Sequence, residues 1–511
     1  MIRDISDQQL SFQDFIHPFG GQLNAENRWV KLAEVIPWSK LMIRYNARMN
    51  QGQGRPAKSA RLMLGALIIK HKLNLSDEET VLSIQESHYL QYFCGFGEYV
   101  DKQPFAPSLF VELRKRMGSD LFAELEQDIV DHALELQKAK RKPQSRDDDD
   151  DSHGGSSNKP THHGKLLMDA TVADQMIRFP TDLSLLNQAR EISETLIDAL
   201  HEKVGGQKPR TYRNNARKDF LAVSKRKRAG RNLIRKGVRQ QLQYLRRNLH
   251  HISQQLDTLM PALHSPFPLS HRLQRQYWII QHLYVQQKQM FDSKTKRCDD
   301  RIVSISQPHV RPMVRGKAGK HVEFGSKLSV SMVGKLAFVD QLHWDACNES
   351  QDLIAQVESY HQRFGFYPEV VLADAIYGTR NNRKWLKDKG IRFGGKALGR
   401  PRKASKGNTE ELIKIKQQRK ADERGRIPIE GKFGQGKNGY RLNQIRARLA
   451  STAQAWVRSI FLVMNLIALV RFFAAFYLLG LIQAWIDAFA HSSAHHLYLI
   501  QPNNVKSWVT E

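Results

Sequence analysis

Three carboxylates in this chain of 511 residues stand where separate elements could bring oxygen ligands together. Asp169 closes the apolar run Leu166-Leu167-Met168, and Asp374 follows Val370-Val371-Leu372-Ala373. Each is therefore expected at the C-terminal end of a short buried strand. An aspartate there is also ordinary turn or capping chemistry, and one alone would carry no argument. The third is Glu430, in RIPIEGKFGQGKNGYRLNQIRARL, where Pro428 suits the first turn of a helix and puts Glu430 on it. Three such carboxylates suit two hard cations, because Mg²⁺ prefers oxygen ligands, keeps waters and needs few protein groups beside a phosphate. Two ions about 3.5–4 Å apart can activate a water or a 3′-hydroxyl and stabilise the leaving oxygen of an in-line phosphoryl transfer.

Directly after Glu430, Gly431, Gly436 and Lys437 fall at the G-x-x-x-x-G-K spacing of a nucleotide-binding loop. Two features oppose that reading. Position 438 is Asn, where the motif needs Ser or Thr to ligate magnesium, and no apolar strand leads into Gly431. No nucleotide cofactor is expected, and Lys437 is left to serve another phosphate.

That phosphate is expected on nucleic acid. The chain carries 79 Lys and Arg against 51 Asp and Glu, a formal charge of +28, which favours a polyanion. The positive charge is densest in KPRTYRNNARKDFLAVSKRKRAGRNLIRKGVRQ, where only Asp219 interrupts it. A solvated helix face mixes signs, so this block reads as an arm that contacts phosphates. The three cysteines, Cys94, Cys298 and Cys347, have no C-x-x-C spacing. That excludes a thiolate zinc knuckle and a disulfide framework, and suits a reducing cytoplasm. His321 and His343 could approach the acids, but lone histidines are more often ordinary surface or core residues. The apolar run 459–486 is long enough to span a membrane, but Arg471 near its middle and Asn465 and Gln483 favour one or two buried helices packed on a sheet.

Around these residues the pattern divides the chain. Residues 1–142 read as a helical DNA-binding domain, including a helix over 59–73 capped by Ser59 and a second from Ser76 with Glu79 as its capping-box partner. This pair is compatible with helix-turn-helix binding and equally with any bundle. One long helix is expected over 108–136. Residues 143–163, with the five-Asp run 147–151, are a linker by composition. Residues 164–182 and 298–490 alternate strands and helices, with a strand pair around Gly334, and belong to the α/β class. The basic helical stretch 183–297 is an insertion between those two parts, and 491–511 is a tail.

Two stretches resemble a known family. LADAIYGTRNNRKWLKDKGIRFGGKALGRPRK (372–403) is similar to the second-aspartate region of the DDE transposases of bacterial insertion sequences. RIPIEGKFGQGKNGYRLNQIRARL (426–449) resembles their third-acid signature, an Arg, then Glu after three residues, then Lys after six more. Arg426, Glu430 and Lys437 match it; Glu423 stands where the signature usually carries a Tyr. LLMDATVADQMIRFPTDLSLLNQARE fits the first-aspartate region, and RWVKLAEVIPW…GRPAKSARLMLGALIIKHKLNLSDEETV resembles the N-terminal domain of such proteins.

The resemblance implies an RNase H-like α/β catalytic domain: a mixed sheet flanked by helices, with an all-α N-terminal domain and the basic helical insertion. It implies that Asp169, Asp374 and Glu430 are catalytic and hold two divalent ions, Mg²⁺ with Mn²⁺ as the alternative. Arg426 and Lys437 would position phosphates. Apart from the resemblance, Tyr377 and Arg441 are offered as further DNA contacts, with packing the favoured reading for Tyr377. The partners implied are double-stranded DNA, both terminal inverted repeats and target, and a second copy of the chain in the DNA complex. Membrane is not among them. Two other readings keep the same residues: a catalytically inactive DNA-binding derivative, and a metal-dependent nuclease without strand transfer.

Overall fold

The computed structural model describes residues 11–17, 20–49, 57–141, 162–260, 266–314, 322–400 and 408–470. Nearly all of the expected linker, with its five-Asp run, lies outside them. So do His321, the far half of the apolar run 459–486, and the 491–511 tail.

The chain divides into two compact units, one of residues 1–155, 334–336 and 461–511, the other of 156–333 and 337–460. In the first, helices α1 (Arg28–Val35), α2 (Trp38–Ala47), α3 (Ala60–Leu73), α4 (Asp77–Glu86), α5 (His88–Phe93), α6 (Leu109–Arg116) and α7 (Ser119–Arg141) carry the structure. Ser59 caps α3 by accepting the Leu62 amide, and Ser76 caps α4 by accepting that of Glu79. The long helix expected over 108–136 is two, because the chain leaves helical geometry at Met117-Gly118. Burial is heaviest on α3, where every residue from Ala60 to His71 is covered. Lys70, buried there, and Arg114 both pair with Asp77, at 2.9 and 2.8 Å.

The second unit is built on a six-stranded mixed sheet with β1 (Lys165–Asp174), β2 (Arg311–Val314), β3 (Val322–Val333), β4 (Leu336–His343), β5 (Val370–Leu372) and β6 (Arg392–Phe393). The path runs β2-β3-β1-β5-β6, with β4 on β3. β1 is antiparallel to β3 and parallel to β5, the mixed arrangement of an RNase H-like sheet. Gly334, at φ +59°, turns β3 into β4 as the strand-pair reading required. Gly325 faces β1 so closely that a Cβ there would lie 1.9 Å from the Ala173 carbonyl oxygen. Helix α12 (Leu353–Phe364), preceded by a 3-10 turn Glu349–Asp352, and helix α13 (Arg380–Asp388) cover β5 with Val357, Tyr360 and Leu386.

Between β1 and β2 the insertion folds as α8 (Asp182–Val204), α9 (Arg213–Ser224), α10 (Arg231–Leu259) and α11 (His271–Asp292). Its core is built mostly from its own helices, with Leu186, Leu196, Leu245, Ile252, Ile280 and Leu283 fully buried and Ile302 and Ile305 joining from the chain just beyond. Val238, Leu242, Leu245, Ile252 and Leu256 recur at helical spacing and turn one face of α10 inward. Arg235, Lys236, Arg239 and Arg246 are left on the exposed side.

Helix α14 (Thr409–Gly439) closes the unit, and a further helix, α15 (Ala450–Val470), follows. Among the described residues α15 alone is long and apolar enough to cross a membrane, and most of it is buried within the protein. Arg458 on α15 donates to the Val339 carbonyl of β4 at 3.1 Å.

Candidate active site

Asp169 is not at the end of its strand. It sits midway along β1, paired across to Val330 of β3. The apolar pattern misplaced it because β1 has different neighbours on its two edges. Pairing with β3 continues to Asp174, whereas pairing with β5 ends at Leu167 opposite Leu372. Asp169 is two residues past Leu167, and Asp374 two residues past Leu372. Side chains two apart on a strand share a face. The parallel register therefore carries both carboxylates past their last shared pair in step.

Asp374 caps the 3-10 turn Ala375–Tyr377, its carboxylate accepting the Ala375 amide at 2.8 Å, and it remains exposed. Asp169 accepts the Ala170 amide at 2.8 Å. Burial pushes the Asp169 carboxyl above the ordinary range, and the negative charges of Glu349 and Asp374 push the same way. The Ala170 amide and Arg426 offset part of that rise.

Glu430 arrives on α14, and here the sequence reading needs a second correction. Pro428 does not open a helix; it lies deep inside one that began at Thr409. A proline there donates no hydrogen bond to the carbonyl four residues back, an interruption that normally costs about 3 kcal/mol. The helix is held across it from both sides. Asp422 takes a bidentate pair from Arg392 of β6 at 2.6 and 2.9 Å, and Ile429 and Phe433 are buried. The glycine-rich stretch after Glu430 is helix as far as Gly439, not a loop, so its amides are not arrayed as a phosphate cradle. Beyond α14 the chain pairs with the end of β1: Ile445 donates to the Asp174 carbonyl and accepts the Met176 amide, both at 2.9 Å.

On this helix Arg426 spans the acids. One guanidinium nitrogen is 2.9 Å from Glu430, and another is 3.7 Å from Asp169. Arg426 was expected to face phosphate; its charge instead lies between two of the three carboxylates. Lys437, two turns beyond Glu430, is 3.4 Å from Glu323 on β3. Arg441 is exposed just past the helix, with φ +53°.

Tyr377 is corrected outright as a DNA contact. Its ring is fully buried among Leu166, Met168 and Leu386, so it offers no surface to a duplex. Among the described residues its hydroxyl has no hydrogen-bond partner, and burial drives its pKa far up, with Glu349, Asp169 and Asp374 adding to the rise. Glu423, in place of the signature tyrosine, pairs with Arg419 at 2.9 Å on an exposed face of α14.

Sequence reasoning passed over Glu349 and Glu323. Glu349 lies close enough to act on Asp169 and pairs with Lys327 at 3.0 Å. No local motif marks either residue: Glu323 is brought in by β3 and Glu349 by the 3-10 turn before α12.

The donor set suits a hard divalent cation. Asp169, Asp374 and Glu430 offer carboxylate oxygens alone, with no thiolate or imidazole among them. A positive group, Arg426, already lies between two of them.

A "Transposase DDE domain" model matches residues 371–467, which include Asp374 and Glu430, and a "Transposase domain (DUF772)" model matches 18–116. The chain belongs to the insertion-sequence DDE transposases. A Rhizobium meliloti relative, "Uncharacterized protein ORF8 in nfe locus", is 32% identical over 170 residues, 33% of this chain and 72% of that one. No solved structure matches this transposase. Asp169 lies outside the stretch matched by the DDE model, and its place beside Asp374 comes from the β1–β5 register. The family acts on DNA and uses divalent metal.

Proposed function

We propose that this transposase binds the terminal inverted repeats of its own element, cuts at their ends and joins the exposed 3′-hydroxyls to target DNA. Asp169, Asp374 and Glu430 are the residues that would hold two Mg²⁺ ions, with Mn²⁺ able to substitute. Held there, divalent ions would supply the Lewis-acid chemistry that activates a water or a DNA 3′-hydroxyl and stabilises the leaving oxygen. The observation that supports this reading most is that Arg426 of α14 lies between Asp169 and Glu430, while Asp374 is near enough for its charge to act on Asp169.

The protein's own groups divide the remaining work. β1 presents Asp169 from within the sheet, and the turn that follows β5 presents Asp374. Arg426 screens Asp169 from Glu430 before metal and DNA arrive, and exchanges those partners for DNA phosphate afterwards. Lys437 makes a similar exchange from Glu323, and Arg441 extends the strip.

Ends are recognised by the helical N-terminal region, residues 1–142. The insertion, 183–297, tracks the DNA backbone through the basic side of α10. Beside that helix lies a cleft of ≈ 640 Å³ lined by Arg235, Lys236, Arg239, Arg246 and Lys288. Two copies act together on paired ends in the bacterial cytoplasm.

The test uses the DNA that flanks the coding sequence. Linear fragments ending in its inverted repeats, incubated with the full chain, Mg²⁺ and a circular target, should give joined products. Cutting without joining would favour a nuclease, and binding without either would favour an inactive derivative.

A further inference from the structure

A group of side chains able to ligate metal, of different chemistry from the three acids, lies between the end of β4 and the turn that precedes α12. His343 ends β4, Cys347 lies in the loop that follows, and Asp352 closes the 3-10 turn Glu349–Asp352. Each brings one ligand atom to within 4.8 Å of the other two. His343 Nε2 is 3.3 Å from an Asp352 carboxylate oxygen, yet it is buried and makes no aligned hydrogen bond among the described residues.

We propose that His343, Cys347 and Asp352 form a site for a thiophilic transition metal, of which Zn²⁺ is the fitting member. Imidazole, thiolate and carboxylate are its ordinary ligands, at about 2.0–2.3 Å in a tetrahedron. Those lengths put ligand atoms roughly 3.3–3.7 Å apart, so the His343–Asp352 separation already fits and a modest rotation of Cys347 completes the set. Charge balances as well: thiolate and carboxylate neutralise a divalent ion, and Mg²⁺ is disfavoured by the sulfur and nitrogen. The nearby Lys327 ammonium is neutralised separately by Glu349, at 3.0 Å.

Surrounding contacts orient the ligands, as outer partners do in metal sites. Ser329 of β3 donates to an Asp352 oxygen at 2.5 Å, and Lys327 holds the Cys347 carbonyl at 2.7 Å. Three ligands leave a fourth position for water. The ion clamps the end of β4 to the 3-10 turn. That turn is tied in its middle to the one after Asp374, because Asn382 donates to both the Ser350 and the Tyr377 carbonyls, at 2.7 and 2.9 Å. The site shares no residue with Asp169, Asp374 and Glu430.

Cobalt makes the site visible. Full-length protein stripped with chelator is titrated with Co²⁺ in excess Mg²⁺, so that hard carboxylate sites are occupied. One equivalent should produce a sulfur-to-cobalt charge-transfer band with the strong visible bands of tetrahedral cobalt. Cys347→Ser should abolish the charge-transfer band, whereas Cys298→Ser and Asp169→Asn should keep it. His343→Gln should weaken Co²⁺ binding at least tenfold while retaining the band at saturation, a check that does not depend on the serine variant. Absence of the band in wild type, or its survival in Cys347→Ser, would overturn the proposal.

Discussion

Asp169 and Asp374 are brought together by strand register: each follows by two residues the last parallel pair of β1 and β5, Leu167 opposite Leu372. If that register builds a divalent site, a redox-active ion in it will mark the surrounding backbone. Fe²⁺ with ascorbate and peroxide should cut the chain near residues 169 and 374, and again near 430. Excess Mg²⁺ should suppress all the cuts together. Cuts clustered elsewhere, or insensitive to Mg²⁺, would separate the acids from the metal.

Arg426 competes for the same carboxylates. Its removal in Arg426→Gln should tighten Mn²⁺ binding several-fold by calorimetry, because a half-exposed pair of this kind is worth about 1 kcal/mol or less. Unchanged or weaker binding would mean that the guanidinium supports the metal. Asp169 adds a pH dependence. Its raised carboxyl pKa keeps a proton to higher pH than an ordinary carboxylate, so protons compete with metal to higher pH. Mn²⁺ affinity should therefore fall with acid from above the usual carboxylate range of about 4, and more steeply in wild type than in Asp169→Asn.

The basic face of α10 makes a salt-dependent claim. Lys236, Arg239 and Arg246 are exposed opposite a continuous apolar stripe. Reversing all three to Glu should weaken DNA binding and lower the slope of log affinity against log salt by about 2–3, at roughly 0.9 per phosphate contact. A slope that stays put would remove the insertion from the DNA interface.

In the N-terminal unit, Asp77 neutralises two buried cations. Burial alone would raise its pKa, but Arg114 and Lys70 outweigh it and the net shift is downward. A depressed carboxylate contributes stability that is present above its unfolded value, about 4, and lost as pH falls through the folded one. Asp77→Asn should cost roughly 3–5 kcal/mol, the cost of leaving a buried charge unpaired. Calorimetry of the full chain should show this unit's transition moving down, and a loss under about 1 kcal/mol would contradict the pairing.

Much of this architecture was legible in the residues. Ser59 and Ser76 announce their helices through capping chemistry that is local, and Gly334 announces its turn for the same reason. The failures are equally physical. Pro428 looked like a helix start because its local preference is real, but Arg392–Asp422 and the buried Ile429 and Phe433 hold the helix through it. Asp169 looked terminal because the run of large apolar residues stops there, while the β3 ladder continues for five more residues. Tyr377 lies three residues from an acid, which offers it to DNA, but packing, the other reading of it, is what the fold shows. The His343–Cys347–Asp352 group was invisible as a motif, since each residue alone has an ordinary explanation.

The central claim is that Glu430 acts with Asp169 and Asp374 in metal-dependent DNA strand cleavage. The direct measurement compares wild type with Glu430→Gln on plasmid carrying the flanking repeats, with and without Mg²⁺, alongside a gel-shift on the same repeats. The account predicts Mg²⁺-dependent nicking or linearisation by wild type. Glu430→Gln should lose that activity by at least about 100-fold, the scale of removing one group that stabilises a transition state, while still shifting the repeat DNA. Cleavage retained by Glu430→Gln in Mg²⁺ would contradict it.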